Sequence, residues 1–286
     1  MKTKVAIIGG TGLNGIEAIQ DKKTIACKTP FGAPSAEFIV GRIHDVEIVF
    51  LPRHGIGHTI LPSEINFKAN IYALKALGVE HILSVSAVGS LREDIAPLNI
   101  VLPDQFFDRT RNRVSTFFGN GIVAHVNFSY PVCPVLKEIV YEAASKADVK
   151  IFNQGTYICI EGPQFSTLSE SNTYRKLGFD IIGMTNLPEA KLAREAEICY
   201  CTIALVTDYD CWHESHKEVD IEMVFENLKI NTANAKKIIK ETIVNIPPKR
   251  DCACPSALEN AIITRKDLIP EKIRRELDPI IGNRIK

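Results

Sequence analysis

Two aspartates separated by one residue, Asp208 and Asp210, directly follow an apolar run that starts at Cys199. The run shows no alternation of polar and apolar residues, which is typical of a strand covered on both faces. Ligands bind beyond the carboxyl ends of such strands in open α/β sheets. Carboxylates at positions i and i+2 of an extended chain point to the same side, so the pair can contact one flat, nitrogen-rich ligand at two atoms.

A metal is the competing interpretation of this segment, because His213 and His216 follow the two aspartates. Carboxylate and imidazole groups together form a plausible set of metal ligands. A calcium loop that starts at Asp208 is excluded, because its sixth position is His213 and that loop requires glycine there. We expect no metal here, and a metal bound by Asp208, Asp210, His213 and His216 stays the alternative.

Groups suited to an anion follow other predicted strands. Thr11 lies in a glycine-rich turn after the strand over residues 4–8, and the backbone amides of such a turn can surround an anion. Arg53 follows the strand over residues 46–51, and a guanidinium offers two parallel donors to a phosphate. Ser86 and Ala87 close the strand over residues 81–87. We expect all of these groups at one edge of one sheet.

The glycine-rich turn also fits the dinucleotide-binding pattern G-x-G-x-x-G, from Gly10 to Gly15. Its surroundings do not fit. Only a short segment up to Lys23 could form the required helix, and Glu37 begins the next apolar strand, whereas the ribose-binding acid should end one. We therefore reject a dinucleotide site.

The elements that must position these groups alternate between strands and helices, which predicts an α/β fold. Further strands are predicted over residues 38–43, 155–160 and 180–184, and helices over residues 62–77, 135–147, 168–177 and 220–244. Asn186 to Glu189 resembles a capping box that begins a helix ending at Glu197. Residues 104–134 form a long irregular segment, which indicates a functional or subunit-contacting loop.

Composition excludes several classes of partner. The 34 basic and 34 acidic residues cancel, so no overall field attracts nucleic acid or an anionic membrane. No segment reaches the about 18 apolar residues of a spanning helix, and Gly9 ends the first apolar run too early for a signal peptide. We expect a cytoplasmic protein that binds neither nucleic acid nor membrane.

The chain contains eight cysteines, and two of them stand apart. Cys252 and Cys254 lie in a polar segment after two prolines, whereas Cys159, Cys199 and Cys201 lie in apolar runs, where a thiol usually acts as a small hydrophobe. The one-residue spacing of the pair is shorter than that of most zinc sites. A zinc site, redox or disulfide chemistry, and no role all stay open.

One crevice at the sheet edge would hold a phosphate at one end and a base at the other. Phosphorolysis of a nucleoside needs both: phosphate attacks the anomeric carbon through an oxocarbenium-like state while the purine leaves. No metal is required for this chemistry. The residues alone therefore favour a nucleoside-cleaving enzyme.

The chain also resembles the purine nucleoside phosphorylase superfamily, and within it the methylthioadenosine phosphorylases. The motifs that carry the resemblance span residues 5 to about 245 in order, and they are Ile7-Ile-Gly-Gly-Thr-Gly12, Thr29-Pro-Phe-Gly32, Arg53-His-Gly55, Ser86-Ala-Val-Gly-Ser-Leu-Arg-Glu93, Asp104-Gln-Phe106, Glu161-Gly-Pro163, Gly183-Met-Thr185 and Thr207-Asp-Tyr-Asp-Cys-Trp212. The resemblance implies a single-domain nucleoside phosphorylase fold over residues 1–245, with a mixed twisted central sheet flanked by helices. Residues 246–286 would form a C-terminal extension.

The resemblance also implies roles for individual residues. Phosphate would be held by Thr11, Arg53, His54, Ser86, Ala87 and Thr185, and the family usually has threonine in place of Ser86. The nucleoside would be held by Met184 through its backbone, by Phe165 against the purine, by Asp208 and Asp210 at N7 and the 6-amino group, and by His125 from a neighbouring subunit. Specificity would come from Ser166, Val219, Ile221 and Val224. No cofactor is implied, because inorganic phosphate is a co-substrate.

Physical reasoning supports the aspartate roles independently. A leaving purine needs a proton at N7, so Asp208 should have a pKa raised by burial and by a neighbouring negative charge. An ionised Asp210 suits the amino donor of adenine, whereas a 6-oxopurine would place an acceptor against an acceptor. Such a mismatch costs on the order of a thousandfold in selectivity. We therefore predict a 6-aminopurine nucleoside.

The residues also bear on the 5' substituent of the substrate and on the assembly of the protein. Apolar side chains at Val219, Ile221 and Val224 favour a methylthio group over a hydroxyl, which would lose its water there. The resemblance implies a trimer or a dimer of trimers. The tail with Cys252 and Cys254 is similar to that of thermophilic archaeal members of the family, in which it is oxidised, and the resemblance does not assign the partner cysteines. The alternatives are a phosphorylase of methylthioinosine or ordinary purine nucleosides, and a nucleoside-binding sensor without turnover.

Overall fold

The computed structural model describes residues 3–13, 16–147, 149–213 and 221–285. Within these ranges one sheet is formed by β1 (Lys4–Gly9), β2 (Gln20–Ile25), β3 (Phe38–Ile43), β4 (Val46–Pro52), β5 (His81–Ser90), β6 (Ile100–Val101), β7 (Gln105–Arg109), β8 (Ile151–Phe152), β9 (Thr156–Ile160), β10 (Ile181–Gly183) and β11 (Cys199–Asp208). The helices are α1 (Phe67–Ala76), α2 (Pro134–Ser145), α3 (Leu168–Lys176), α4 (Asn186–Glu195), α5 (Ile221–Asn245), α6 (Glu271–Glu276) and α7 (Asp278–Ile281).

The sheet is mixed and branches at β5. On one side β5 lies parallel to β1, which is parallel to β4, and β3 and β2 extend that edge in antiparallel fashion. On the other side β5 lies parallel to β11, which is followed by β6 and β8. The end of β5 also pairs antiparallel with β10, from which β9 and β7 continue. The predicted mixed central sheet is confirmed.

Helices cover both faces of the sheet, as the apolar pattern of the inner strands requires. Alternate residues of β1 enter different packing clusters: Ala6 and Ile8 pack with α1 and α4, while Val5 and Ile7 pack with α2 and α5. Every residue of β11 is buried. The central strands are therefore rigid supports, and their ends can hold side chains in fixed positions.

The branching leaves a gap along β5. Its pairing with β1 stops at Ser84, and its pairing with β10 begins at Gly89. In the described sheet, residues 85–88 consequently have no strand on that edge. This gap, and not the carboxyl end of β5, is where the predicted Ser86 and Ala87 lie.

Several predicted elements differ from the observed ones. The helix predicted from residue 62 begins at Phe67, because Asn66 caps it by accepting from the Ala69 amide. The predicted capping box at Asn186 to Glu189 is wrong: the Glu189 carboxylate pairs with Arg53, and the side chain of the N-cap residue, Thr185, makes no capping hydrogen bond to the first turn of α4. The segment before Lys23, considered above as a possible short helix, contains the start of β2.

Residues 246–285 pack on the same core as the preceding chain. Leu258, Ile269 and Ile281 are buried in the cluster that contains α1 and α4. Arg284 forms an ion pair of 2.7 Å with Glu197, at the turn before β11. The division of the chain at residue 245 stays a prediction. The contacts of residues 246–285 with the rest of the chain include this core packing and the ion pair of Arg284 with Glu197.

None of the helices described here combines the length and the apolar composition needed to cross a membrane.

Candidate active site

A cavity of about 350 Å³ opens at the gap beside β5. This volume lies within the range of small-molecule sites. Twelve of the predicted residues line it: Thr11, Arg53, His54, Ser86, Ala87, Phe165, Ser166, Met184, Thr185, Asp208, Asp210 and Val224. The structure therefore brings together residues that are up to about two hundred positions apart in the chain.

Three predicted residues are not placed in this cavity. His125 lies on an exposed loop and lines a second cavity with Phe118 and Lys191. Val219 lies outside the described residues, and so does the side chain of Ile221. The structure adds Phe225 and Leu228 of α5 to the same wall as Val224.

Asp208 is the last residue of β11, and its buried carboxyl group has a raised pKa. Burial raises the pKa of its carboxyl group to about 6, while the Thr207 hydroxyl and the Asp210 amide oppose the shift. These two groups donate to different carboxylate oxygens, at 2.7 and 2.8 Å. The charge of Asp210 adds to the rise. A carboxyl group of this pKa can both hold and release a proton near neutral pH.

Asp210 is held beside Asp208 by an unusual backbone and by close packing. Its φ is 53°, in the left-handed region. Burial raises the pKa of its carboxyl group, and the Ser171 and Ser166 hydroxyls oppose the shift, although neither makes a hydrogen bond of ordinary geometry. Its Oδ2 is buried without a hydrogen-bond partner among the described residues, so a ligand donor would satisfy it.

Gly89 leaves the space that the two aspartates need. A Cβ at this position would lie 2.9 Å from Asp208 Oδ1 and 3.3 Å from the Asp210 amide nitrogen. Any side chain there would therefore displace the carboxylate. The sequence places Gly89 in the motif after Ser86 without revealing this contact.

Arg53 is fully buried, and most of its donors are already used. Its Nε and Nη2 contact Glu189 at 2.8 and 3.1 Å, its Nη2 also donates to Ser84, and its Nη1 donates to the Val85 carbonyl. Burial alone would lower the pKa of Arg53, but Glu189 raises it, so the group stays charged. The two parallel donors that the sequence suggested for a phosphate, Nε and Nη2, contact Glu189 instead, and a role of Arg53 in holding phosphate stays a prediction.

The next residue, His54, is neutral in this environment. Burial and the charge of Arg53 lower the pKa of its imidazole to about 4. Its Nδ1 lies 2.9 Å from the Ile60 carbonyl oxygen, which can only accept, so Nδ1 carries the proton. Its ring stacks on that of His58 with the centroids 4.2 Å apart. His54 consequently offers Nε2 as an acceptor.

A chain of hydroxyl groups borders the cavity: Ser86 and Thr185 line it, and Tyr157, outside the lining, contacts Ser86. Ser86 Oγ lies 3.2 Å from Thr185 Oγ1 and 3.2 Å from the hydroxyl of Tyr157, which is fully buried. Rotatable hydroxyl groups of this kind can donate to an anion or accept from it. Tyr157 was missed by the sequence analysis because its strand pattern indicates only packing.

Arg113 also escaped the sequence analysis, because it lies in the irregular segment. It is almost completely buried and donates to the carbonyl oxygens of Met184, Leu187 and Glu161, at 2.7, 2.9 and 2.7 Å. It therefore joins the loops after β9 and β10. A contact of the Met184 backbone with the ribose stays a prediction, and Arg113 holds this backbone in place through the Met184 carbonyl oxygen.

The metal alternative at the aspartates gains no support. His213 lies 3.1 Å from Glu93, and His216 is outside the described residues. Among the residues that the structure describes, the group able to ligate a metal with three or more side chains is a set of four cysteines far from this cavity.

The cavity is thus bounded by a carboxyl pair at one end and by hydroxyl groups and a buried arginine at the other. A sequence model described as "Phosphorylase superfamily" matches residues 4–244. The chain belongs to this superfamily.

Several full-length relatives of high identity belong to one family of this superfamily. The S-methyl-5'-thioadenosine phosphorylase of Geobacter sulfurreducens is 55% identical over 284 residues, which cover 99% of each chain. The protein of that name from the strain Thermofilum pendens Hrk 5 is 47% identical and covers 92% of this chain and 99% of its own.

Solved structures agree with these relatives. A methylthioadenosine phosphorylase from an Antarctic soil metagenomic library has a TM-score of 0.92 at 46% identity, and the match covers 98% of this chain and 99% of that one. A mutant adenosine/methylthioadenosine phosphorylase from Schistosoma mansoni, in complex with methylthioadenosine, has a TM-score of 0.79 at 38% identity, covering 85% and 91%.

Proposed function

We propose that this protein cleaves 5'-methylthioadenosine with inorganic phosphate, and releases adenine and 5-methylthio-α-D-ribose 1-phosphate. The observation that carries the proposal is that one cavity contains both the carboxyl group of Asp208, whose pKa is raised to about 6, and the hydroxyl groups beside Arg53. The relatives described above are named for this activity. A phosphate oxygen would bond to the anomeric carbon as the bond to purine N9 breaks.

The base end of the site accounts for departure of the purine. The electron pair of the broken bond passes into the purine ring, and Asp208 supplies a proton at N7. Burial already raises the pKa of Asp208 to about 6, and a bound purine would remove further water and raise it more. Asp210 would accept from the 6-amino group, because its buried Oδ2 lacks a donor among the described residues.

The phosphate end is supported by groups of complementary kind. Thr11, Ser86 and Thr185 provide hydroxyl groups, and the exposed edge at Ala87 provides backbone groups. Because His54 is neutral with its proton on Nδ1, its Nε2 suits a protonated oxygen of the phosphate monoanion. Arg53 would contribute positive charge from behind, partly neutralised by Glu189.

The apolar wall of α5 would receive the methylthio group. Val224, Phe225 and Leu228 line the cavity, and we assign the 5' substituent to this wall because it is apolar. A hydroxyl group placed against these side chains would lose water without gaining a partner, at a cost of about 1–3 kcal/mol. Phe165, which is 55% exposed, would cover the purine when ligand binds.

Self-association as a trimer or a dimer of trimers is part of the proposal. The loop that carries His125 exposes Val114, Val123 and Tyr130, at 62%, 49% and 78%. Apolar side chains exposed to this degree on one loop suit an interface between subunits. His125 would then reach the cavity of a neighbouring subunit. A cytoplasmic location also stays a prediction.

The substrate assignment is tested by comparing kcat/KM for methylthioadenosine, adenosine, inosine and methylthioinosine at saturating phosphate. We expect methylthioadenosine to lead, with the 6-oxopurines lower by about a thousandfold or more because of the mismatch at Asp210. Preference for methylthioinosine or inosine would overturn the assignment. Binding of all four compounds without turnover would identify a nucleoside sensor instead.

A further inference from the structure

Four of the eight cysteines form a cluster away from the active site and lie close enough to share one ion. Cys133, Cys199, Cys252 and Cys254 place their Sγ atoms within 4.8 Å of one another. They come from three segments of the chain: the residue before α2, the first residue of β11, and the C-terminal segment. Convergence of three segments on one point is not expected from chance burial of thiols.

The distances fit a tetrahedral ion better than they fit disulfides. A zinc ion with sulfur ligands at about 2.3 Å separates those sulfur atoms by roughly 3.8 Å. Cys199 Sγ and Cys252 Sγ are 3.5 Å apart. A disulfide would require about 2.05 Å, and all four thiols are free in this structure.

The surroundings suit bound thiolates. Cys133, Cys199 and Cys254 are buried in the apolar cluster that contains α2 and α5, and Cys252 packs against it. The Leu136 amide donates to Cys133 Sγ at 3.5 Å, from the first turn of the twelve-residue helix α2. The N-terminus of a helix favours a negatively charged ligand, and amide donors of this kind hold metal-bound sulfur in place.

We propose that Cys133, Cys199, Cys252 and Cys254 form a structural zinc site that attaches the C-terminal segment to the core. Zinc fits because it accepts four thiolates in a closed tetrahedron, and the thiol protons pass to solvent as Zn²⁺ binds. The one-residue spacing of Cys252 and Cys254, unusual for zinc sites, is accommodated because the other two ligands come from elsewhere. The pair then spans a single edge of the tetrahedron.

The position of the site indicates a structural role. Cys199 begins β11 and Asp208 ends it, so the two sites lie about 30 Å apart at the rise of an extended strand. Residues 246–285 would be tied to the core at Cys252 and Cys254, and again at the ion pair of Arg284 with Glu197. The zinc would take no part in the reaction.

The test is metal analysis of the full chain, produced without a metal-binding tag and kept reduced. We expect about one zinc per chain, because four thiolates bind one ion. Protein stripped of metal should take up one equivalent of zinc in competition with a chromogenic chelator, and should give thiolate-to-metal charge-transfer bands with cobalt. Cys252→Ala should lose the zinc and lower the Tm.

The matched control is Cys201→Ala, which removes a buried thiol from the same strand as Cys199 but outside the cluster. This variant should retain the zinc and the cobalt spectrum. Failure of reduced protein to bind zinc, or equal zinc content in the Cys252 and Cys201 variants, would overturn the site. Iron or copper in place of zinc would overturn the metal assignment, and disulfides in protein isolated under reducing conditions would overturn the site itself.

Discussion

Substitution of Glu189 by glutamine should reveal how the buried arginine beside the phosphate pocket is stabilised. The side chains of Arg53 and Glu189 are 0% and 2% exposed, and two contacts of 2.8 and 3.1 Å join them. Glutamine keeps the size of the side chain and removes its charge. Arg53 would then be a buried cation without a counterion, which costs about 3–5 kcal/mol.

For a chain of this size, that loss corresponds to a Tm lower by about 10 °C. Inorganic phosphate should restore more stability to Glu189→Gln than to the wild type, because the anion would replace the missing negative charge and binding to the folded state adds stability. Thermal unfolding monitored without phosphate and at a series of phosphate concentrations measures both effects.

Glu195→Gln supplies the matched control. Glu195 lies on the same helix, is also buried, and accepts from Thr116 and from the Phe117 amide, and it forms no ion pair with an arginine of the described residues. Its substitution should cost about 1 kcal/mol, the value of an ordinary hydrogen bond. Equal Tm losses for the two variants, or equal phosphate responses of Glu189→Gln and wild type, would refute the reasoning about Arg53.

Three further predictions concern the reaction. Asp208→Asn should lower kcat by about 10²–10⁴ while the KM for phosphate changes little, because only proton transfer to the purine is lost. Steady-state kinetics at varied phosphate concentration checks this. An unchanged kcat would remove Asp208 as the acid. The kcat/KM for methylthioadenosine should fall as pH rises above about 6, because burial raises the pKa of Asp208 to about 6 and the acid form is required. The same fall of kcat/KM above pH 6 in wild type and in Asp208→Asn would contradict this. Gly89→Ala should lower kcat by up to about a hundredfold with a smaller effect on Tm, because the new Cβ would lie 2.9 Å from Asp208 Oδ1 and displace that carboxylate. Full activity of this variant would show that the reaction does not depend on the exact position of the Asp208 carboxylate.

The contribution of Asp208 to the free energy of unfolding should also decrease as pH rises. The pKa of Asp208 is raised from 3.8 to about 6 in the folded protein, so the folded state holds this proton more tightly than the unfolded state does. The contribution of Asp208 to folding stability is therefore present at low pH and is lost as pH rises between these two values.

The ends of β1, β4 and β11 and the polar residues at them could be predicted from sequence because each depends on a local pattern. The unbroken apolar run before Asp208 indicates a strand buried on both faces, and β11 is buried along its whole length. The glycine-rich turn at Thr11 and the loop at Arg53 follow β1 and β4 as expected. Proximity of these groups follows from the parallel pairing of β4, β1, β5 and β11.

The remaining features depend on partners distant in sequence. Glu189 matches the pattern of a capping box, but a buried arginine 136 positions away overrides that local preference. The gap along β5 lies between the end of its pairing with β1 and the start of its pairing with β10, and no periodicity in any of these segments reveals it. Arg113 lies in an irregular segment, where a side chain that bridges two other loops leaves no local signal.

Release of adenine from methylthioadenosine, measured with and without inorganic phosphate, tests the central claim most directly. With phosphate present, we predict one molecule of 5-methylthioribose 1-phosphate for each adenine, detected as a sugar phosphate by ³¹P NMR, and no release when phosphate is removed. Adenine released at an equal rate without phosphate, together with free methylthioribose, would show hydrolysis and contradict phosphorolysis.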